Sequence, residues 1–224
     1  MMKPLSGCVR GFIAIIAFTG ALRAEQAFPF LQPDAVRAAY ELARSDWQPA
    51  SDMVTAAFQA SEDKHFRDRP AIRSTITASI TQWYPERGGP RSIAVSAAIA
   101  RALSHEEILD WFVHAVFLGQ GCFGVDGAAA AYFGKQASEL DLHEAAFLAA
   151  LVGAPAQFHP HRSPDRALAR RNNVLREMAD AGLVSAQQAG DAIARPLSVR
   201  AELGTCPQDP DETGLPGQAP NGRP

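Results

Sequence analysis

Glu62 and Asp63 form an acidic pair at the end of a predicted helix. A carboxylate placed beside a hydroxyl group can take its proton, which is the role of a general base. Arginine suits phosphate groups, since its planar fork binds two oxygens at once. The segment that follows the pair is rich in basic residues: Lys64, Arg67, Arg69, Arg73, Arg87, Arg91 and Arg101. The pattern fits a cleft for a phosphorylated ligand, and it fits a solvated surface equally well.

Capping signals predict the helices that must position these residues. Ser51 opens a helix that runs into Ser61, Glu62 and Asp63. In a capping box, a side chain at the helix start and one three residues later satisfy free backbone N–H groups. Three such boxes follow along the chain: Ser104 with Glu107, Asp141 with Glu144, and Ser185 with Gln188. The second box opens a helix from Leu142 to Val152, and Pro196 stops the last helix.

Proline and alanine patterns predict the remaining elements. Further helices are expected from Pro33, from Ile93 to Leu103, and from Pro164 to about Ala181. The stretch from Thr75 to Ile80 fits either a helix or a strand, and residues 84–91 read as a loop. Glycines between the first two capping boxes break the helix there. No convincing strand is found, so the predicted class is all-α.

Length, charge and composition divide the chain into three parts. The 224 residues carry a net charge of −3 with 20% charged residues, which argues against a nucleic-acid partner. Residues 1–24 contain basic residues and a short apolar run from Gly11 to Leu22, as in a signal peptide or an N-terminal membrane anchor. Residues 25–202 form the predicted helical domain. Residues 203–224 are rich in Pro and Gly and are predicted to be disordered. Cys122 and Cys206 are either paired, as export would allow, or unpaired.

The sequence from residue 107 to about residue 193 resembles glycosyltransferase family 51. The resemblance is carried by EILDWF, FLGQGCFGVDGAAAAYFGK and LDLHEAAFLAALVGAPAQFHP. This family comprises the peptidoglycan glycosyltransferase domains of penicillin-binding proteins and their monofunctional relatives. It implies a bilobed, lysozyme-like fold for residues 51–196. It also implies a lipid-linked peptidoglycan precursor as substrate. The implied partners are a membrane surface and other cell-wall synthesis proteins. The implied location is the periplasm or the periplasmic face of the bacterial inner membrane.

The resemblance also implies roles for the residues of the acidic segment. Glu62 matches the general base of the family motif E-D-x-x-F, Asp63 supports the site, and Phe66 packs beneath it. Arg69 stands where the family has a His, and it is expected to face a phosphate. Arg101 replaces a family Lys in one alignment and would contact the diphosphate. Lys135 matches the family as well, and it fits a structural ion pair or a cap.

The second carboxylate of the family site is missing from this chain. In one alignment, residues 74–77 supply the letters S-T-I-T of the second family motif, and the second Glu falls on Val95. In the other, Gly88 and Gly89 are the glycines of that motif, and the third motif is deleted. Either way, the segment is shortened.

Three functions therefore remain open. The chain is a peptidoglycan glycosyltransferase, an inactive relative that binds precursor, glycan or a partner protein, or a glycan hydrolase with Glu62 as acid. No cofactor is expected, and a divalent cation at the diphosphate is not indicated by the sequence. His159 and His161 have no third ligand nearby in sequence, so they predict no metal site.

Overall fold

The computed structural model describes residues 32–45, 47–84 and 89–206, and these ranges are helical. The helices are α1 (Pro33–Arg44), α2 (Asp52–Asp63), α3 (Thr75–Thr81), α4 (Gly89–Ala102), α5 (His105–Ala115), α6 (Val125–Phe133), α7 (Leu142–Ala150), α8 (Pro164–Asp180) and α9 (Ala186–Ala194). Short 3₁₀ turns lie at Phe66–Asp68, Ala71–Arg73 and Ala137–Glu139. Within these ranges no β-strand is present, so the all-α prediction is confirmed.

The predicted capping signals mark the helix starts. The side chains of Ser51, Ser104 and Ser185 accept hydrogen bonds from backbone N–H groups of α2, α5 and α9. Reciprocal capping boxes open α5, α7 and α9 as predicted. Pro164 begins α8. Proline is tolerated at this position, because the first backbone N–H of a helix has no partner within the helix. Local side-chain chemistry therefore accounts for most of the helix starts after residue 104.

One open choice is decided and two element predictions need correction. The stretch after Ser74, open between helix and strand, is the helix α3, and the Ser74 side chain accepts from the N–H of Ile76 at its start. Helix α4 begins at Gly89, so the last three residues of the predicted loop 84–91 are helical. The rest of that loop, residues 85–88, lies outside the described residues. Helix α6 follows the glycines where the sequence predicts only a connector, because Gly124 serves as its N-cap.

The connector between α5 and α6 turns sharply and brings the two helices together. Phe117 and Phe123 form an antiparallel bridge across it. Gly124 has φ of +78°, and a Cβ on it would lie 2.2 Å from the His114 carbonyl oxygen. Only glycine fits at this point, because both the positive φ and the close approach exclude a side chain.

The helices pack in two groups that share α2. One group contains α2, α7, α8 and α9, and the other contains α1, α3, α4 and α5. Helix α2 contacts members of both groups, and large buried side chains such as Phe58, Phe112 and Trp111 fill the core between them. This division agrees with the bilobed fold that the resemblance implies.

A disulfide joins Cys122 in the connector to Cys206 near the end of the described chain. The open choice between paired and unpaired thiols is thus decided for pairing. Residues 203–206 belong to the tail predicted to be disordered, yet here they lie against α6, where the N–H of Gly204 donates to the Ala131 carbonyl at 2.8 Å. The rest of that tail and the predicted signal peptide or anchor lie outside the described residues. Among the described helices, none has the length and apolar character needed to cross a membrane.

Candidate functional site

Glu62 is the second-last residue of α2 and is half-buried against α8. The Ser61 hydroxyl lies 3.4 Å from Glu62 Oε1 and donates to the Ala149 carbonyl at 3.0 Å. Arg170 of α8 in turn donates to Ser61 Oγ at 3.1 Å. Burial raises the pKa of Glu62, the charge of Arg170 acts against this rise, and Glu177 adds to it. The carboxyl group therefore holds its proton more tightly than one in water.

Asp63 faces inward and is paired with Arg69. The Asp63 side chain is 1% exposed, and Arg69 Nη2 forms an ion pair with its Oδ1. Oδ2 is buried and has no hydrogen-bond partner in the described part of the chain. The Arg69 side chain stays 42% exposed, so part of it reaches solvent. The contact of Arg69 with Asp63 is thus structural, and the phosphate contact expected for Arg69 remains a prediction.

Phe66 packs the segment after Glu62 against α5, and Thr75 bonds the start of α3 to the end of α2. Phe66 is fully buried and meets the ring of His105 edge-on, with the ring centroids 4.9 Å apart. The Thr75 hydroxyl donates to the Glu62 carbonyl at 2.6 Å. The start of α3 is therefore fixed to the end of α2, and this junction sets the position of Glu62.

Helix α4 carries the two positions on which the alignments differ. Arg101 is exposed near its C-terminus and forms no ion pair with another described residue. Val95 is fully buried in the core. A carboxylate at the Val95 position would be desolvated without a partner, which explains physically why an apolar residue stands there. The structure places Glu62, Asp63, Phe66 and Arg69 together and gives no contact between them and Arg101.

Three further charged residues have structural partners. Lys135 bonds both carboxylate oxygens of Glu144, at 2.8 and 2.7 Å, which decides for the ion-pair role. Glu107 caps α5 and pairs with Arg37. Arg171 is fully buried and donates to the carbonyls of Ile193 and Arg195 at the end of α9.

Arg170 is the neighbour of Glu62 that sequence reasoning missed. Its position on α8 predicts only a solvent-facing or bracing role, because nothing in the local sequence links it to residue 62. Its hydrogen bond to Ser61, the residue before Glu62, spans 109 residues of chain. Only the packing of α8 against α2 brings the two charges close.

Two cavities in the described part of the chain lie away from Glu62, which lines neither of them. A groove of about 330 Å³ lies between α1, the α1–α2 connector and α5, with Tyr40, Trp47, Asp52, Arg67 and Asp110 among its lining residues. It is therefore not the cleft predicted for Glu62. A second cavity of about 230 Å³ lies between α7 and α9.

One described cluster has the ligand types that bind metals. The donor atoms of Asp141, His143 and Glu144 lie within 4.8 Å of one another. Both Glu144 oxygens are bonded to Lys135, and Arg195 lies 3.4 Å from Asp141. The two carboxylates are thus already neutralised by side-chain cations, and a metal ion would have to displace them.

Comparison with known proteins gives one consistent result. Residues 74–179 match the family model described as Transglycosylase. The chain is 43% identical over 104 residues to penicillin-binding protein 1A of Aquifex aeolicus, covering 46% of this chain and 14% of that protein. It is 40% identical over 121 residues to penicillin-binding protein 1A of Escherichia coli, covering 51% and 14%. A crystal structure of penicillin-binding protein 1A from Haemophilus influenzae superposes with a TM-score of 0.47 at 27% identity, covering 69% of this chain and 17% of that one.

These matches cover only part of each relative and only part of this chain. This chain spans about one seventh of the length of the two relatives from Aquifex aeolicus and Escherichia coli. The match to the family model begins at Ser74, so Glu62 and Asp63 lie before it. The role of Glu62 thus depends on the E-D-x-x-F letters and on the geometry around the residue.

Proposed function

We propose that this chain is a member of the transglycosylase family, a peptidoglycan glycosyltransferase-like protein that transfers lipid-linked disaccharide units to growing glycan chains. The observation that carries this proposal is the family match over residues 74–179. Helices α5 to α7 bury most of the apolar residues in the segments that carry the resemblance. Its substrate is a lipid-linked peptidoglycan precursor.

In the proposed reaction, Glu62 is the general base. A sugar hydroxyl loses its proton to the Glu62 carboxylate, its oxygen bonds the anomeric carbon of a second unit, and the lipid diphosphate leaves. A base works best when its pKa lies near the working pH. The raised pKa of Glu62, caused by burial, moves this carboxyl group in that direction.

Asp63, Phe66, Arg69 and Arg101 complete the proposed site. Asp63 and Phe66 hold the segment after Glu62 through the contacts with Arg69 and His105. The diphosphate needs positive charge more than a proton, because it is already a weak base. Arg101, exposed and without an ion pair to a described residue, has its guanidinium available for this task, and Arg69 contributes its exposed part.

We place the protein on the periplasmic side of the inner membrane. Two observations support this location. The disulfide between Cys122 and Cys206 is of a kind that persists in oxidising compartments. The apolar run from Gly11 to Leu22 has the length of a signal-peptide core, with the anchor as the second possibility. Other cell-wall synthesis proteins are the natural partners there.

The experiment is incubation of the purified protein with labelled lipid-linked precursor, followed by separate measurement of polymer and of bound precursor. We expect polymer from the wild type. Glu62→Gln is expected to lose about 10²–10⁴-fold in rate while retaining precursor binding, because the amide cannot accept the proton. Glu106→Gln is the matched control, since this exposed carboxylate at the start of α5 lies outside the proposed site.

Arginine variants separate binding from chemistry. Arg101→Ala is expected to weaken precursor binding. Arg69→Ala is expected to do the same, but it also leaves buried Asp63 without its cation, so Arg101 gives the cleaner result. Binding without polymer in the wild type would identify an inactive relative instead. A polymerising wild type unaffected by Glu62→Gln would overturn the assignment of the base.

The pH dependence of polymerisation tests the same residue. Glu62 must be ionised to accept a proton, and burial raises its pKa. The rate should therefore fall on the acid side, with a midpoint above the usual Glu value of 4.5. A midpoint at or below that value would show that another group limits the rate.

A further inference from the structure

His114 of α5 is buried with both ring nitrogens facing backbone carbonyl groups. Its side chain is 1% exposed. Nδ1 lies 2.9 Å from the Asp110 carbonyl oxygen, and Nε2 lies 2.9 Å from the Gln48 carbonyl oxygen. A carbonyl oxygen only accepts hydrogen bonds, and a neutral imidazole has a single N–H. Both contacts are hydrogen bonds only if the ring carries a proton on each nitrogen and hence a positive charge.

The charged groups around His114 favour that protonated form. Asp110 Oδ1 lies 3.3 Å from Nδ1, and Asp126 Oδ2 of α6 lies 3.8 Å from Nε2. From α1, the Tyr40 hydroxyl donates to Asp110 Oδ2 at 3.1 Å, and the charge of Arg44 also acts on Asp110. Burial acts to lower the pKa of His114, but the hydrogen bonds and charge of Asp110 outweigh it, so the pKa is raised. Burial raises the pKa of Asp126, while the charge of His114 opposes that rise.

The His114 ring holds the connector between α1 and α2. Trp47 stacks on it with ring centroids 4.8 Å apart and an angle of 8° between the planes. Gln48, next in the chain, supplies the carbonyl at Nε2. Both residues also line the groove of about 330 Å³, together with Asp110. One imidazole therefore fastens the wall of this groove to α5 through a hydrogen bond and a stacked ring.

Loss of one proton would break this arrangement. The deprotonated nitrogen would present a lone pair to a carbonyl oxygen 2.9 Å away, in a site shielded from water. The stacking on Trp47 would weaken too, because an indole face attracts a cation more than a neutral ring. The Asp110 carboxylate 3.3 Å from Nδ1 favours a proton on that nitrogen, so Nε2 is the nitrogen that loses its proton, and the contact that breaks is the one with the connector.

We propose that His114 is a pH-sensitive latch: as the imidazolium it fastens the connector residues 47–50 to α5 and shapes the groove, and as the neutral ring it releases them. This device is independent of the proposed transferase activity, because the groove is not lined by Glu62. Since the pKa of His114 is higher in the folded protein, its stabilising contribution is complete below the usual value of 6.5 and is lost as the pH rises through the folded-state pKa.

The direct test is nitrogen NMR of the histidine rings in the wild-type protein. At pH 6, we expect both ring nitrogens of His114 to carry protons, with a titration midpoint above 6.5. His114→Gln assigns the signal. A His114 ring that is neutral at pH 6 would overturn the proposal, whatever the behaviour of the variants.

Tryptophan emission reports the release of the connector. A protonated imidazole stacked on an indole quenches its fluorescence, so wild-type emission should rise with pH at the midpoint found by NMR. Trp47→Phe should abolish this rise, since Trp83 and Trp111 have no stacked histidine in the described structure. His114→Gln should also abolish the rise. The control is His65→Gln, because the His65 side chain is 63% exposed and has no ring contact with a described tryptophan. This control should keep the rise. A rise that persists in His114→Gln would show that the latch is not this residue.

Discussion

The region from residue 104 to residue 206 and the segment from residue 59 to residue 77 satisfy their buried polar groups to different degrees. In the first, buried Arg171 and Glu144 have hydrogen bonds to carbonyls or to Lys135, and among its buried side-chain atoms only Trp111 Nε1 has no partner in the described part of the chain. In the second, Gln59 Oε1, Asp63 Oδ2 and Thr77 Oγ1 are buried without a hydrogen-bond partner in the described part of the chain. Unsatisfied buried groups are rare in proteins and tend to mark functional or strained positions.

The two regions are therefore held by different means. Capping boxes, an ion pair and a disulfide fix the first region. The segment 59–77 is held by the Ser74 cap, the ion pair of Asp63 with Arg69, and the contacts of Phe66 and Thr75. Removal of a paired polar group from the first region should cost stability, whereas removal of a buried polar group without a partner from the second should cost little or should stabilise the protein.

The disulfide is expected to have the largest effect. Cys206→Ser should lower the free energy of unfolding by about 2–4 kcal/mol, because cross-linking residues 84 positions apart restricts the unfolded chain. Urea unfolding of the variant and of the wild type with and without a reductant measures this. Reductant should have no further effect on the variant. Equal stability of oxidised and reduced wild type would contradict the prediction.

Arg171 comes next. Arg171→Met should destabilise the protein by about 2–3 kcal/mol, because the carbonyls of Ile193 and Arg195 lose their charged donor. Arg176→Met is the control on the same helix, since Arg176 is exposed and bonds only Asn173 among the hydrogen bonds described. Denaturant unfolding should separate the two variants clearly. Similar losses in both would mean that helix propensity, and not the buried contacts, dominates.

Two threonines of α3 give a matched pair of smaller effects. Thr77→Val should stabilise the protein by about 1 kcal/mol, because the buried Thr77 hydroxyl has no hydrogen-bond partner among the described residues. Thr81→Val should destabilise it by about 1 kcal/mol, because the Thr81 hydroxyl contacts the Thr77 carbonyl at 2.9 Å and Ser96 Oγ at 2.8 Å. Melting temperatures should move in opposite directions. A loss of stability in both variants would refute the contrast between the two hydroxyl groups.

The smallest expected change is in the stability of Glu62→Gln. Burial raises the pKa of Glu62, so the folded state favours its neutral form, which glutamine imitates. Relative to the wild type, the variant should melt slightly higher at pH 7, and the gain should vanish near pH 4, where the wild-type side chain is also protonated. Melting curves at both pH values test this. A lower melting temperature at pH 7 would indicate a structural role for the charge.

Much of the helical framework follows from the sequence, because its signals are local. Ser104 with Glu107 and Asp141 with Glu144 fix two helix starts within four residues of chain. Local signals are weaker before residue 104. The stretch Thr75–Ile80 is readable as helix or strand, and the sequence predicts a start of α4 four residues too late. Burial against other helices decides the conformation of the first and the length of the second.

The all-α class, the family resemblance and the acidic pair Glu62-Asp63 with its basic neighbours can be read from the sequence. Three contacts follow from the tertiary structure: Arg170 with Ser61 beside Glu62, Arg69 with Asp63, and Cys122 with Cys206. The first and the last of these join residues 109 and 84 positions apart in the chain. Capping and periodicity act over a few residues, whereas desolvation and charge at a site depend on which helices pack together.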